Sequence, residues 1–191
     1  MSGSGRSGDR APEPDLRRVA SLLQRHGVDC VLVGGMSARI YGSQLMTSDS
    51  DIVTSWSRAS LEALCRALAS VDAQIRVGVD DDGQDRFASV PGGLDADDVR
   101  HLSSFRVRTR DGDLIDVLRS IPVEPGADGR RLEYAELVED ALVARLGDDV
   151  GIRIVSREIL IRSKRAVGRR HDLAAVRDIL AADRRSSPDD P

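Results

Sequence analysis

The stretch that decides the fold begins Val31-Leu32-Val33-Gly34-Gly35-Met36-Ser37-Ala38 and passes through Tyr41-Gly42-Ser43. It ends in Thr47-Ser48-Asp49-Ser50-Asp51-Ile52-Val53. The apolar run Val28–Val33 suits a buried strand, and two glycines break it. Met36–Tyr41 has room for one short helix before Gly42-Ser43, and Asp51-Ile52-Val53 reads as a second strand. With a strand starting at Asp49, the period of two puts the Asp49 and Asp51 carboxylates on one face. Like charges held that close repel, and need a cation, a shared proton or ample solvent to stay ionised. Magnesium takes one or two carboxylates and completes its shell with phosphate oxygens, so this pair beside a phosphate cradle is a natural site for it.

On its own, Asp-x-Asp at a strand entrance is also an ordinary turn. The chain carries other acidic groups, Asp80-Asp81-Asp82 and Asp97-Asp98, that read as solvated loops. The glycines make the difference. Gly34 and Gly35 close a strand and open a helix, where backbone N–H groups approach an anion. The chain has neither Gly-x-Gly-x-x-Gly nor Gly-Lys-Ser/Thr, so the stretch is not a dinucleotide fingerprint or a P-loop. Gly42 and Ser43 add a second backbone approach and a hydroxyl just ahead of the carboxylates.

Outward from this block, a helix is expected over Asp15–His26, with Leu16, Val19, Ala20, Leu22 and Leu23 at helical spacing and Gly27 as its stop. Ser57 or Ser60 caps a helix through Leu61, Leu64, Cys65 and Leu68. Ala73–Val79 reads as a strand leading into an acidic loop, Asp80–Asp85. Phe105–Arg110 and Leu114–Leu118 flank Asp111-Gly112, a strong hairpin signal. Glu124–Arg130 is a Pro/Gly loop, and Tyr134–Leu146 patterns as one amphipathic helix. Ile152–Val155 begins a strand or helix, and helices follow over Arg157–Val167 and Asp172–Ala182. These elements define an α/β (α+β) fold: a mixed sheet flanked by helices over residues 15–132, then a helical C-terminal region over 133–184. Residues 1–14 and 185–191 read as disordered tails.

The bulk numbers bound the function. At 191 residues and 40% hydrophobic, the chain suits one domain, or one with a small appended lobe. Aromatic residues are only 3%, too few for stacking platforms along single-stranded nucleic acid. No apolar run is long enough to span a bilayer, and MSGSGRSGDRAPEPD lacks a secretory apolar stretch, so a cytoplasmic location is expected. Cys30 and Cys65 lie in apolar patterns with no Cys or His at metal-ligand spacing, and read as small buried hydrophobes. A net charge of −4 opposes broad nonspecific nucleic-acid binding. That charge is uneven: Arg153 to Arg185 holds nine Arg and one Lys, whereas Gly78 to Asp98 holds seven Asp and one Arg. Of 28 basic residues, Lys164 is the only lysine, a bias that points to GC-rich coding.

The order strand, Gly-Gly, short helix, Gly-Ser, Thr-x-Asp-x-Asp, strand resembles the polymerase-β-like nucleotidyltransferase superfamily. The resemblance implies a nucleotidyltransferase-type sheet and transfer of a nucleoside monophosphate from an NTP to a hydroxyl, with release of pyrophosphate. It implies that Gly34, Gly35, Gly42 and Ser43 hold the nucleotide, and that Asp49 and Asp51 bind Mg2+ or Mn2+. A third carboxylate comes from a neighbouring strand in this superfamily, and Asp116 in Leu114-Ile115-Asp116-Val117-Leu118 matches it. Asp113, on the opposite face of that strand, does not. The nearest branch is similar to the AbiEii/MenT-type toxins. In them a downstream Lys and Asp sit beside the nucleotide, matched here by Lys164 and Asp172 in Ser163-Lys164-Arg165-Ala166-Val167-Gly168-Arg169-Arg170-His171-Asp172. Lys164 is expected as a solvent-facing lysine on a helix that faces the carboxylates. The Lys-to-Asp spacing is short for those toxins.

The toxin likeness implies a tRNA 3′ end as acceptor and an antitoxin protein as partner, with no membrane. The arginine-rich C-terminal region suits tRNA. Antibiotic-modifying nucleotidyltransferases end similarly, and a cationic aminoglycoside suits the acidic segment Asp80–Asp98 instead. A catalytically inactive nucleotide-binding regulator is the third reading, and retention of Asp49, Asp51, Asp116, Ser43 and Lys164 together opposes it.

Overall fold

A computed structural model describes residues 14–124 and 129–186. The expected tails therefore lie outside the described residues, except at Pro14 and at Arg185–Ser186. Those last two close the final helix.

Helix α1 (Leu16–Arg25) is capped by Asp15, whose side chain accepts from the Arg18 N–H, and it buries the five apolar residues read from the sequence. Strand β1 (Cys30–Val33) is buried throughout. Helix α2 (Gly34–Ile40) starts on the first glycine, and β2 (Asp49–Thr54) opens on Asp49. Helix α3 (Arg58–Ala69) is capped by Ser57. Strands β3 (Gln74–Val79) and β4 (Asp85–Ala88) form a hairpin, and a one-turn helix α4 (Ala96–Val99) follows. Strands β5 (Ser104–Arg108) and β6 (Leu114–Leu118) make the hairpin expected around Asp111-Gly112, with Gly112 at φ +89°.

Two expectations need correction, and one ribbon was not anticipated. The acidic loop ends at Gln84, because Asp85 already begins β4. Asp80 closes the turn by accepting at its side chain from the Asp82 and Gln84 N–H groups. A two-stranded ribbon, β7 (Ser120–Pro122) with β8 (Arg131–Glu133), flanks the expected Pro/Gly loop, whose residues 125–128 are outside the described set. Tyr134–Leu146 is not one helix. It is α5 (Tyr134–Glu139), then β9 (Leu142–Arg145), which pairs antiparallel with β10 (Gly151–Ile154). Leu137 is fully buried, but Leu142 and Val143 are 56% and 66% exposed, so the helical pattern has no second layer to face. Pairing along β10 satisfies the backbone instead, and tertiary context overrides propensity. The stretch 133–184 thus contributes two strands to the main sheet before α6 (Arg157–Val167) and α7 (Arg170–Ser186).

The main sheet is mixed, with order β4-β3-β5-β6-β2-β1-β10-β9. Pairs β2–β6 and β1–β10 are parallel and the others antiparallel. On one face Leu32, Ile52, Ile115 and Val117 join α1 and α3 in a core. On the other, Val31, Val33 and Val53 meet α5, α6 and α7 through Leu137, Leu160 and Ile179. That second core stops where Asp49, Asp51 and Asp116 begin. Cys30 and Cys65 are buried and unbridged, and burial pushes their thiols up to about 12 and about 11. No helix among the described residues is long and apolar enough to cross a membrane.

Candidate active site

Strand β2 alternates as the sequence implied: Ser50 and Ile52 are fully buried on one face, while Asp49 and Asp51 point to the other. Its parallel partner β6 pairs Asp51 with Asp116 in register. Three carboxylates therefore meet on one sheet face at the junction of the covered and open halves.

Gly34 is required at this junction. It has φ +65°, and a Cβ there would stand 1.8 Å from Asp51 Oδ2. A Cβ on Gly35 would come within 2.5 Å of Thr47 Oγ1. The Gly35 N–H donates to Asp51 Oδ2 at 3.4 Å, and the Thr47 hydroxyl donates to Asp49 Oδ1 at 3.0 Å. The glycines thus bring a helix N-terminus against the carboxylate pair. Thr47 positions Asp49. Burial, and then the like charges of Asp49 and Asp116, push the Asp51 carboxyl up to about 6, against the partial relief of the Gly35 N–H and the Lys164 charge.

Gly42 and Ser43 stand elsewhere. The Ser43 hydroxyl, buried, donates to Asp178 Oδ2 at 3.2 Å, and the Gln44 N–H donates to the same oxygen at 3.1 Å. Gly42, at φ +97°, lies so close to α7 that a Cβ would meet Ala182 Cβ at 2.6 Å. This loop is locked to α7, and the Ser43 hydroxyl is turned toward that helix.

Lys164 corrects the expectation of a solvent-facing lysine. It is 9% exposed, and its Nζ donates to Asp172 Oδ1 at 2.7 Å across the α6–α7 turn, where Gly168 takes φ +70°. The two residues are a buried pair, and their shared cavity still opens on the carboxylates. That cavity is about 350 Å³, with Gly34, Asp51, Asp116, Lys164, Arg169 and Asp172 in its wall. A second cavity of about 510 Å³ lies on the other side of Asp116, lined by Arg76, Asp85, Ser104 and Arg106. Asp116 is common to both walls.

Arg106 is the principal site residue that the sequence reading missed. Its Nε and Nη2 each donate to Asp116 at 2.6 Å, Nη2 also reaches Asp49 Oδ2 at 2.8 Å, and Nη1 reaches Asp85 Oδ2 at 3.0 Å. Its hydrogen bonds to Asp116, and then the charges of Asp116 and Asp49, raise its guanidinium above the ordinary value despite partial burial. A signal was available: counting outward from Asp111 in the hairpin places Arg106 directly opposite Asp116. Asp113 is turned away, held by Arg18 Nε at 2.5 Å and Nη2 at 2.8 Å at the start of α1. His26, His101 and His171 take no part in these contacts.

Among the described residues, no three His, Cys, Asp or Glu side chains form a ready metal cage. The donor chemistry nevertheless suits a hard divalent cation. Two carboxylates of one strand share a face, Asp51 is short of counter-charge, and magnesium fills its remaining positions with phosphate oxygens and water.

No protein-family model matches the chain, and no curated protein matches it. Solved structures do. A lincosamide antibiotic adenylyltransferase, LnuA, solved with lincomycin bound, superposes with a TM-score of 0.55 over 86% of this chain and 94% of its own, at 11% identity. A Thermotoga maritima protein provisionally classed as a nucleotidyltransferase gives 0.50 over 87% and 90%, at 18% identity. The class these define is the nucleotidyltransferase fold, and this chain has that fold over nearly its whole described length.

Proposed function

We propose that this chain is a magnesium-dependent nucleotidyltransferase that moves a nucleoside monophosphate from an NTP to a hydroxyl acceptor. The observation that carries the reading is the in-register meeting of Asp51 and Asp116 against the Gly34-Gly35 turn, within this fold. In the reaction the acceptor oxygen forms a bond to the α-phosphorus, the bond from that phosphorus to the bridging oxygen breaks, and pyrophosphate leaves. A divalent cation supplies charge neutralisation at the phosphates and a Lewis acid at the reacting centre.

The residues divide the work. Asp49 and Asp51 hold the cation, with Mn2+ as a substitute for Mg2+. The α2 N-terminus at Gly34 and Gly35 and the field of Lys164 favour the triphosphate in the smaller cavity. Asp172 orients Lys164 from within that wall. Gly42 and Ser43 act on the nucleotide chiefly by fixing the loop that leads to Asp49, since direct contact by the Ser43 hydroxyl requires it to leave Asp178. Asp116, facing both cavities, accepts the proton of an acceptor hydroxyl seated on the Arg76–Asp85 side.

Two acceptors are supported by different observations. The fold shared with LnuA along almost all of that enzyme favours a small hydroxyl-bearing molecule. The exposed arginines of α7, among them Arg170 and Arg177, favour an RNA end, and with it the toxin reading and an antitoxin partner. Within Asp80–Asp98, Asp85 is engaged by Arg76 and Arg106, while the exposed Asp80, Asp81 and Asp82 suit a cationic small molecule. The deciding experiment incubates the protein with labelled NTPs, Mg2+ and either total tRNA or a panel of lincosamides and aminoglycosides. Label on tRNA establishes the RNA acceptor, and label on a drug establishes the small molecule. The reading is overturned if Mg2+ with NTP raises the melting temperature equally in wild type and Asp51→Ala, because the carboxylate site would then not be the binding site.

A further inference from the structure

Arg106 stands where a cation belongs. Its fork spans Asp49 and Asp116, the outer two of the three clustered carboxylates, while its remaining Nη1 touches Asp85 across the β5–β3–β4 side of the sheet. Asp85 is itself anchored by Arg76 Nε at 2.5 Å. The Arg106 side chain is 28% exposed, and its three carboxylate partners lie between 18% and 24%, so these contacts are desolvated enough to be strong yet open to incoming ligand. Asp51 alone receives nothing from Arg106, and is held by the Gly35 N–H.

Two cations cannot share one carboxylate cluster without repulsion, so a divalent ion at Asp49 must meet the guanidinium already there. Removing Arg106 from the cluster entirely would strand it in a half-buried setting. Asp85 prevents that, since it already supplies one of the guanidinium's hydrogen bonds and lies on the far side from Asp51. We propose that Arg106 is a built-in counter-cation that holds Asp49 and Asp116 in the metal-free protein and competes with the divalent ion. As the ion and nucleotide enter, it withdraws onto Asp85. The inference rests on the nucleotidyltransferase reading of the carboxylates. Arg106 is then a positioning residue, and Asp85 is the receiving carboxylate that sets how readily it leaves.

The test is Mn2+ binding to the protein without nucleotide or acceptor, read by the loss of the free-ion EPR signal. Wild type, Arg106→Gln, Arg106→Lys, Asp85→Asn and Asp51→Ala are compared, each checked by its thermal melt. Arg106→Gln should bind Mn2+ about ten-fold more tightly than wild type, because one competing charge is gone. Arg106→Lys, which keeps the charge without the fork, should fall between them. Asp85→Asn should bind several-fold more weakly, because the arginine has lost its alternative partner. Equal or weaker Mn2+ binding by both Arg106 variants overturns the proposal, and Asp85→Asn alone still decides it if Arg106→Gln fails to fold. Loss of binding in Asp51→Ala, alongside binding by wild type, keeps the nucleotidyltransferase reading standing in that event. Absence of Mn2+ binding in every folded variant overturns both.

Discussion

Strands β2 and β6 have two faces that obey different rules. On one, Ile52, Ile115 and Val117 are fully buried against α1 and α3, a dry layer held by apolar burial and close packing. On the other, one residue along in each strand, Asp49, Asp51 and Asp116 crowd together with Arg106 and Asp85. The first face stabilises the protein. The second opposes that stability by gathering like charges, and the guanidinium groups of Arg106 and Arg76 leave Asp51 uncompensated. The fold tolerates an electrostatically strained face because the same strands are secured from behind.

Loss of a carboxylate from the charged face is felt in chemistry and not in folding. Asp51→Ala should lower transfer by about a thousand-fold or more, equivalent to roughly 4 kcal/mol of transition-state stabilisation, while the thermal melt of the metal-free protein holds or rises. Single-turnover transfer of label from NTP measures it, and near-wild-type turnover would remove Asp51 from the machinery.

Its counterpart on the opposite face is Ile52→Ala. The change should cost about 3 kcal/mol in urea unfolding, by lost transfer energy and a residual cavity, yet leave turnover intact below the lowered melting point. A large loss of turnover with unchanged stability would mean that the two faces are not separable.

The buried pair at the α6–α7 turn is an electrostatic contact that has become part of the core. Lys164→Ala leaves Asp172 unpaired in a site where both side chains are only about a tenth exposed. It should therefore destabilise the fold by roughly 2–3 kcal/mol, in contrast to a solvent-facing lysine. The double variant Lys164→Ala/Asp172→Ala should regain part of that loss in the same urea series, because the stranded charge is gone. If the double variant is as unstable as the sum of the singles, the pair is not coupled.

The smallest effect is set by pH. The Asp51 carboxyl, at about 6 in the folded protein, lies above the ordinary carboxylate value of 3.8. In the window between those values the folded protein binds more protons than the unfolded chain, so this group's contribution to stability falls as pH rises from about 4 to about 6. Above that window the ionised carboxylate is a standing penalty. In metal-free protein, Asp51→Asn should be more stable than wild type at pH 8 by about 1–2 kcal/mol, and the difference should shrink toward pH 5. Saturating Mg2+ and nucleotide should reverse the order at pH 8, since only wild type gains from binding. A pH-independent difference would locate the strain elsewhere.

What was legible follows the range of the forces involved. The alternation in β2, the glycine break at Gly34-Gly35 and the Asp111-Gly112 hairpin are local, each fixed by backbone geometry within a few residues, and the sequence alone determined them. The burial of Leu16, Val19, Leu22 and Leu23 on one face of α1 is of the same local kind, whereas Asp116 came from a resemblance and meets Asp51 only through the β2–β6 pairing. The tertiary structure decided everything that depends on a neighbour distant in the chain. Leu142–Arg145 became strand and not helix because β10 offered unpaired backbone groups. Lys164 was buried because α7 folds back over α6 and brings Asp172 to it. Ser43 turned to Asp178, 135 residues away along the chain. Arg106 reached Asp49 only because β2 chose β6 as its parallel neighbour. A residue's periodicity states which face it takes, but only the order of strands states what it meets there.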